Sequence, residues 1–375
     1  MIMTPLGARR VRGAGGGGKE IQMNRISLID MKGSEAIGRR DLMRACIAAA
    51  AARPAVAQYP RLNPLPEGEA VVRPDGPVTD LFTGGNLFAV YNHDTSQAGN
   101  YRPFFHPILA PNHLAVTQNG EFPGSLRGHH WHRGLFIAHQ KVNDVSFWEE
   151  RAADCGKIVH LGFDLAESGP VGRLRQRLAW RDLAGRDLLQ ETRFIEARSG
   201  GANLRFLDLG LRLQALDRPV VFHKTMYNLL ACRVPDSMCL PPQKERYTKL
   251  YGPLVNFQPM DRFGQITNSE GQQNEACGGA RARWCDFSGP LLDGSVAGVA
   301  LMDHPANPRF PTRWHNWNNM TIIASFTYDE PFELKPGQVL ALNYRVVSHT
   351  GDARQAGIQE VWAQYSKTEP LAKEK

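Results

Sequence analysis

Short apolar segments separated by Gly, Pro, Asn and Asp run through most of this chain, and they restrict the folds open to it. The clearest segment is 204–213, where apolar side chains alternate with Arg205, Asp208 and Arg212. Successive side chains of a strand point to opposite faces of a sheet, so a period of two indicates one buried face and one face in water. The pattern predicts an antiparallel sheet at this point.

Other segments extend the pattern and define the fold class. Strand-like composition also occurs in 86–91, 174–180, 188–196, 296–302 and 339–347, and residues 182–187 are typical of a hairpin turn. After Asp352, apolar residues recur at helical spacing as far as Tyr365, which predicts a C-terminal helix at about 352–367. Strands without alternating helices favour an all-β fold, a large antiparallel β-sandwich with few helices.

Residues 1–57 have the features of an export leader. Arg39 and Arg40 precede an apolar run at 45–52, and an A-x-A site ends the segment. These are the parts of a twin-arginine signal, which directs a protein out of the bacterial cytoplasm. We therefore expect a periplasmic or secreted protein whose residues 58–375 form a single β-rich domain.

The positive charge of the chain is concentrated in that leader. The chain has 44 Lys+Arg and 37 Asp+Glu; residues 1–57 hold ten and four of them, so 34 and 33 remain in residues 58–375. Nucleic-acid-binding proteins usually carry a basic face in the domain itself, so a nucleic-acid partner is not expected. No later segment approaches the ~20 consecutive apolar residues that a spanning helix needs, so no membrane span is expected.

Five cysteines follow the leader, and none of them has the C-x-x-C spacing of a metal site. A disulfide within Cys277/Cys285 or within Cys232/Cys239 is open to an exported protein, because the periplasm is oxidising. Buried free thiols are the alternative.

Four of the twelve histidines fall within residues 129–139. They are His129, His130, His132 and His139. Neutral imidazole is the commonest metal ligand and shuttles protons near pH 7. On a strand, His130 and His132 would share a face and could present two ligands to a divalent metal, with His304 as a third. A second interpretation of these histidines is general acid–base catalysis without a metal. A third is a purely structural role, in which His132 and His139 form hydrogen bonds to turns.

A second polar and aromatic cluster spans residues 303–317 and follows the apolar segment 296–302, where a strand leaves the core. It contains Asp303, His304, Arg309, Arg313, Trp314 and His315. Arginine offers a planar fork to carboxylates, phosphates or hydroxyl pairs, and tryptophan offers a flat face to a sugar ring. We predict that both clusters meet in one cleft, although Arg309 and Arg313 could instead pair with structural carboxylates.

Several motifs of the chain resemble those of one bacterial family. The matching segments are His132-Arg133-Gly134-Leu135, His139, Val142-Asn143, Phe147-Trp148, Trp284 to Gly289, Asp303 to His315, and Pro336 to Asp352. In order, and over about residues 80–352, they resemble a family commonly labelled PmoA or methane oxygenase. The segment His223 to Asn228 departs from that family's pattern. A methane monooxygenase subunit spans the membrane several times, so the resemblance implies instead an exported all-β protein of carbohydrate utilisation, a sandwich akin to galactose mutarotase.

Together these features predict an exported carbohydrate-active enzyme, a hydrolase, lyase or isomerase acting on a sugar derivative, rather than a methane monooxygenase. Its catalytic candidates are His132, His304, His139 and Asp303. Its substrate-binding candidates are Arg133, Arg309, Arg313, Trp148, Trp314 and His315. A divalent metal is a candidate cofactor, and an oligosaccharide or other small molecule is the expected partner. A non-catalytic carbohydrate-binding or cell-envelope module is the alternative.

Overall fold

Two eight-stranded antiparallel sheets pack together in the computed structural model, which describes residues 69–96, 99–120, 130–151, 153–240, 264–317 and 320–373. With strands numbered along the chain, sheet A contains, in spatial order, β1 (Ala70–Asp75), β2 (Val78–Thr83), β3 (Asn86–Asn92), β4 (Phe104–Ile108), β5 (Leu135–His139), β11 (Asn228–Arg233), β16 (Thr321–Ser325) and β15 (Arg313–Trp317). Sheet B contains β12 (Gln265–Asn268), β13 (Trp284–Pro290), β14 (Val296–Asp303), β18 (Val339–Thr350), β9 (Leu204–Ala215), β8 (Asp187–Ser199), β7 (Gly172–Arg181) and β6 (Lys157–Glu167). A short ribbon pairs β10 (Val220–Phe222) with β17 (Phe332–Leu334), helix α1 is Ile358–Tyr365, and 3-10 turns lie at Asp236–Met238 and Asn274–Cys277.

The predicted fold class, an antiparallel β-sandwich with a C-terminal helix, is confirmed. Helix α1 is shorter than expected and begins at Ile358, because Gly357 before it has a left-handed φ of 64°. Asp352 closes the preceding turn instead, where its Oδ1 accepts the backbone N–H of Gln355 at 2.7 Å. The apolar side of α1 packs on the outer face of sheet B.

The core between the sheets also encloses charged side chains. In β8, the side chains of Glu191 and Arg193 are 0% and 1% exposed, and Arg193 Nε donates to Glu191 Oε1 at 2.6 Å. Arg193 Nη1 donates to Tyr91 Oη at 3.0 Å, and Trp180 Nε1 donates to Glu191 Oε2 at 2.8 Å. Burial raises the pKa of Tyr91 to about 12, so its hydroxyl stays protonated. A buried ion pair therefore ties sheet B to Tyr91 of sheet A.

The middle of β9 is buried on both faces, which differs from the predicted face in water. On its outer face, a Cβ added to Gly210 would lie 2.7 Å from Cβ of Leu371 in the C-terminal segment. Asp208 is 5% exposed there and pairs with Arg345 at 2.5 Å, and the ring of Tyr365 covers that guanidinium with its centroid 4.4 Å from Cζ. The C-terminal segment, rather than water, covers the charged side of this strand.

The leader at residues 1–57 lies outside the described residues, so export by a twin-arginine signal stays a prediction. Across the parts of the chain that the structure describes, no helix combines the length and the apolar character needed to cross a membrane.

Candidate functional site

An apolar row crosses the outer face of sheet A and forms the floor of the candidate site. Strand register aligns one residue from each of the neighbouring strands β4, β5, β11, β16 and β15. In that order they are Phe104, Phe136, Ala231, Ile323 and His315. Alternation along each strand sends the residues before and after these five toward the other face. The first four are buried, so other parts of the chain cover this floor.

Aromatic side chains from the loops stack on this row. The ring centroid of Trp148 lies 5.8 Å from that of His132 and 5.8 Å from that of Tyr227. Tyr227 in turn meets the ring of His315 edge-on at 5.3 Å, and Trp131 packs on the same apolar cluster. We name Trp131, His132, Trp148, Tyr227 and His315 the outer-face cluster.

The members of the outer-face cluster differ in their exposure. His132 is 1% exposed and Trp148 is 2% exposed, whereas Trp131, Tyr227 and His315 are half-buried. Nδ1 of His132 lies 3.4 Å from Oγ1 of Thr321 at the start of β16. His132 and Trp148 therefore form an inner layer, and the other three rings form a more exposed layer.

Two arginines and one carboxylate fix the loop that carries Trp131. The side chain of Glu150 is 2% exposed and accepts hydrogen bonds from Arg133 Nε at 2.7 Å and Nη2 at 2.6 Å. Buried Arg102 lies 3.6 Å from the same carboxylate and donates to the backbone oxygens of Trp131 and Phe147. Burial lowers the pKa of Arg102 to about 10, and the charge of Glu150 opposes that shift. Arg133 thus holds this loop, and its binding of substrate stays a prediction.

A chain of hydrogen bonds borders the outer-face cluster. Gln140 Nε2 donates to Glu149 Oε1 at 3.4 Å, and Thr225 Oγ1 donates to Gln140 Oε1 at 2.7 Å. The backbone N–H of Tyr227 donates to Thr225 Oγ1 at 3.1 Å. The carboxylate of Glu149 is thereby linked to the segment that carries the half-buried ring of Tyr227. In the sequence, Glu149 stands beside Glu150, and adjacent carboxylates on a strand face opposite ways, which favours surface charges over an acid–base pair.

His139 lies on the inner face of β5, away from the outer-face cluster. Its Nδ1 accepts the backbone N–H of Lys141 at 3.0 Å, so Nε2 is the protonated nitrogen and donates to Thr327 Oγ1 at 2.9 Å. The ring packs on Phe222 with a centroid separation of 5.3 Å. Burial lowers the pKa of His139 to about 3, which keeps the imidazole neutral. These contacts fit a structural role for His139, in which the ring forms hydrogen bonds within the fold. Its catalytic role stays a prediction.

Acidification is expected to destabilise the fold through His139. The unfolded chain binds a proton at this residue below pH 6.5, whereas the folded chain does so only near pH 3. The stabilisation is therefore complete above pH 6.5 and is lost as the pH falls, by about 1.4 kcal/mol per pH unit. In urea unfolding at pH 7 and 4.5, His139→Gln should lose about 2–3 kcal/mol less than the wild type between the two pH values.

The exposed His130 offers a matched control for that experiment. His130→Gln should keep the pH dependence of the wild type, because its side chain is in water in the folded protein as well. An unchanged pH dependence in His139→Gln would contradict the assignment of the acid sensitivity to this ring.

Asp303 and His304 lie at the end of β14 in sheet B, whereas His132 packs on sheet A. Nδ1 of His304 accepts the backbone N–H of Ala306 at 3.1 Å, and Nε2 donates to the carbonyl of Thr368 at 3.1 Å. Asp303 accepts hydrogen bonds from Asn307 Nδ2 at 2.7 Å and from the backbone N–H of Thr312 at 2.8 Å. Burial raises the pKa of Asp303 to about 7 and lowers the pKa of His304. Both side chains organise a loop and the C-terminal segment, and their catalytic roles stay predictions.

The remaining residues of the second cluster also have protein partners. Arg313 Nε donates to both carboxylate oxygens of Asp329 at 2.7 and 2.8 Å, and Arg309 Nη2 lies 3.1 Å from Glu330 Oε1. Trp314 is 0% exposed, on the inner face of β15, and its Nε1 donates to the carbonyl of Ala282 at 2.8 Å. These contacts fit the alternative in which Arg309 and Arg313 pair with structural carboxylates. The two sequence clusters thus meet in part, through His315, and the binding roles of Arg309, Arg313 and Trp314 stay predictions.

Metal binding by His130, His132 and His304 also stays a prediction. The exposed ring of His130 lies 4.8 Å from that of Trp131, while His132 is buried and His304 belongs to the other sheet. Within the described ranges, no group of three or more His, Cys, Asp or Glu residues is arranged to hold a metal ion. His129 lies outside the described residues.

Comparison with known proteins identifies a family and assigns no activity. No match was found among curated proteins. A solved structure named heparinase III, the BT4657 gene product with methylated lysines, is 10% identical with a TM-score of 0.30. The chain spans 38% of the length of that protein, and the match covers 82% of this chain. The PmoA label stays a resemblance. A family model matches residues 79–363, and the chain therefore belongs to DUF6807, a family of unknown function.

Proposed function

We propose that the protein is an exported carbohydrate-active enzyme whose sugar substrate binds on the outer face of sheet A. The observation that carries the proposal is the outer-face cluster, in which three aromatic rings and two imidazoles share one sheet face. Sugar rings present apolar C–H faces between hydroxyl groups, so they pack on aromatic rings and hydrogen-bond to polar groups at the rim. The twin-arginine motif of the leader supports the export.

The proposal gives separate roles to the reachable and the buried residues. Trp131 and Tyr227 stack on the sugar, because both rings are half-buried on the ligand side of the cluster. His315 and Glu149 transfer protons, since hydrolysis, elimination and isomerisation of a sugar all need a group that gives or takes a proton. His315 contacts the ring of Tyr227, and Glu149 is linked to the backbone of Tyr227 through two side chains. Buried His132 positions Trp148 and is not a proton donor in this scheme.

Replacing Tyr227 by alanine is expected to weaken sugar binding about fivefold, because a packed aromatic ring contributes on the order of 1 kcal/mol beyond its area. The full chain is first screened against a panel of neutral and acidic oligosaccharides, and Kd is measured by calorimetry for a ligand that binds. Trp362→Ala is the matched control, since Trp362 is a half-buried aromatic residue on the outer face of sheet B. It should bind as the wild type does.

Two results would contradict the proposed site. One is an unchanged Kd in Tyr227→Ala, which would move the site away from sheet A. The other is the absence of binding across the whole panel, which would remove the carbohydrate from the proposal.

A non-catalytic carbohydrate-binding module is the second candidate function. The burial of His132 favours it, because a ligand cannot reach an imidazole that is 1% exposed. The two functions differ in the fate of the ligand. A bound oligosaccharide recovered unchanged after long incubation supports the module, and a chemically altered one supports the enzyme.

A further inference from the structure

Cys277 and Cys285 lie side by side under a turn at the edge of sheet B. Cys285 of β13 is the register partner of Asn268 in β12. The backbone N–H of Asn268 donates to the carbonyl of Gln272 at 3.2 Å, and Cys277 Sγ donates to the same carbonyl at 3.2 Å. The carbonyl of Gln272 thus joins the turn that carries Cys277 to the strand position opposite Cys285.

The two thiols interact, and each shifts the pKa of the other. Cys277 Sγ also donates a hydrogen bond to the carbonyl of Gln272. Both side chains are 0% exposed, and both are free thiols. The other described cysteines, Cys155, Cys232 and Cys239, are also free and buried.

We propose that Cys277 and Cys285 are a modification site at which an intramolecular disulfide forms by exchange with an external disulfide oxidant. The geometry singles out this pair because both thiols are buried at one turn, and the carbonyl of Gln272 joins Cys277 Sγ to the strand position opposite Cys285. The proposal does not depend on the sugar site or on export, since any disulfide oxidant can drive the exchange.

The route to the buried pair passes through an exposed turn. Residues 273–276 are exposed, and Cys277 is the first buried residue after them. Local opening of a turn with few buried contacts costs much less free energy than global unfolding. An oxidant therefore reaches Cys277 before it reaches Cys285, which lies deeper in β13.

The two thiols take different roles in the exchange. The interaction with Cys285 lowers the pKa of Cys277, whereas burial raises the pKa of Cys285. Cys277 loses its proton first, and its thiolate attacks one sulfur of the oxidant, whose other sulfur leaves as a thiolate. Cys285 then loses its proton and attacks Sγ of Cys277, which closes the disulfide and releases the second sulfur. Two electrons and two protons pass from the pair to the oxidant.

The disulfide would stiffen a segment that supports β15. The backbone N–H of Gly279 donates to the carbonyl of Trp314 at 2.7 Å, and the N–H of Trp314 donates to the carbonyl of Ala280 at 2.9 Å. Arg313 Nη1 adds a hydrogen bond to the carbonyl of Gly279 at 2.7 Å. Closing the ring between Cys277 and Cys285 restrains this segment from both ends.

The test uses the full chain with Cys46→Ser, which removes the cysteine of the leader and leaves five thiols. The reduced, folded protein is incubated with oxidised glutathione, denatured, alkylated and analysed by intact mass and peptide mapping. We expect three alkylated thiols, a mass lower by two hydrogens before alkylation, and a cross-linked peptide that joins Cys277 to Cys285. The amides of Gly279 and Trp314 should exchange with deuterium more slowly in the oxidised protein.

Serine variants separate the proposed pair from the other thiols. Cys277→Ser and Cys285→Ser should each abolish the cross-link, whereas Cys239→Ser, a matched buried cysteine, should leave it intact. Five alkylated thiols after oxidation, a glutathione adduct that persists on Cys277, or a cross-link to another cysteine would each overturn the proposal.

Discussion

Replacement of Glu191 by alanine is expected to lower the free energy of unfolding by about 3–5 kcal/mol, because it leaves a buried guanidinium without its counter-charge. Arg193 is 1% exposed and donates to Glu191 at 2.6 Å. The same change removes the acceptor of Trp180 Nε1, whose hydrogen bond to Glu191 is 2.8 Å long. Urea unfolding of the full chain at pH 7 measures the loss.

Two further variants test whether the loss of stability comes from leaving a buried charge unpaired rather than from breaking an ion pair as such. The double variant Glu191→Leu with Arg193→Met should lose less than the single variant, since no uncompensated charge stays in the core. Glu196→Ala breaks the pair of Glu196 with Arg173, whose side chain is 46% exposed, and should cost about 0–1 kcal/mol. A loss in Glu191→Ala as small as that in Glu196→Ala would contradict the role given to the buried pair.

Local sequence chemistry accounts for the parts of the fold that were predicted. The hairpin between β7 and β8 is an example, because Asp182 Oδ1 accepts the backbone N–H groups of Ala184 and Arg186, both at 2.9 Å. Gly185 supplies the positive φ, 81°, that this turn requires. Every group in this motif lies within a few residues, so the sequence alone indicates the turn.

The missed feature of β9 depends on distant residues. Asp208 and Arg212 do share one face of β9, yet Leu371 and its neighbours, rather than water, cover that face. Arg205 has the parity of the buried Leu207 and Leu209, so it does not belong to that face. The alternation of polar and apolar residues within β9 cannot predict that a segment more than 150 residues away in the sequence will cover one of its faces. The pattern reports which side chains are polar, and tertiary packing decides whether water or protein covers them.

The candidate site was predicted in part for the same reason. The histidines near β5 are visible as a local cluster, but the row that they border joins Phe136, Ala231 and Ile323 from three separate regions of the chain. The second cluster is divided because the chain leaves sheet B after Asp303 and enters sheet A at β15. Residues of the second cluster are close in the sequence, but the crossover between the sheets places them on different sheets.

If the protein is the carbohydrate-active enzyme proposed above, His315→Ala is expected to lower kcat roughly 100-fold with little change in KM. The reason is that a positioned general acid or base accelerates a reaction by about that factor. The assay follows turnover of the oligosaccharide found by the binding screen, at pH 7. His315 lies on β15 beside Tyr227, at the end of a buried row, so its removal should leave the sheet folded. Unchanged unfolding in urea would establish that the loss is chemical.

His304→Ala is the matched comparison, since the sequence gives both histidines similar surroundings. This variant loses two hydrogen bonds of the His304 ring, to the carbonyl of Thr368 and from the backbone N–H of Ala306, and should lower the free energy of unfolding by about 1–3 kcal/mol while turnover stays near that of the wild type. Loss of turnover in His304→Ala with normal turnover in His315→Ala would place the chemistry at the end of β14 and reject the site on sheet A. Normal turnover in both variants would remove both imidazoles from the mechanism and leave Glu149 as the group to replace next.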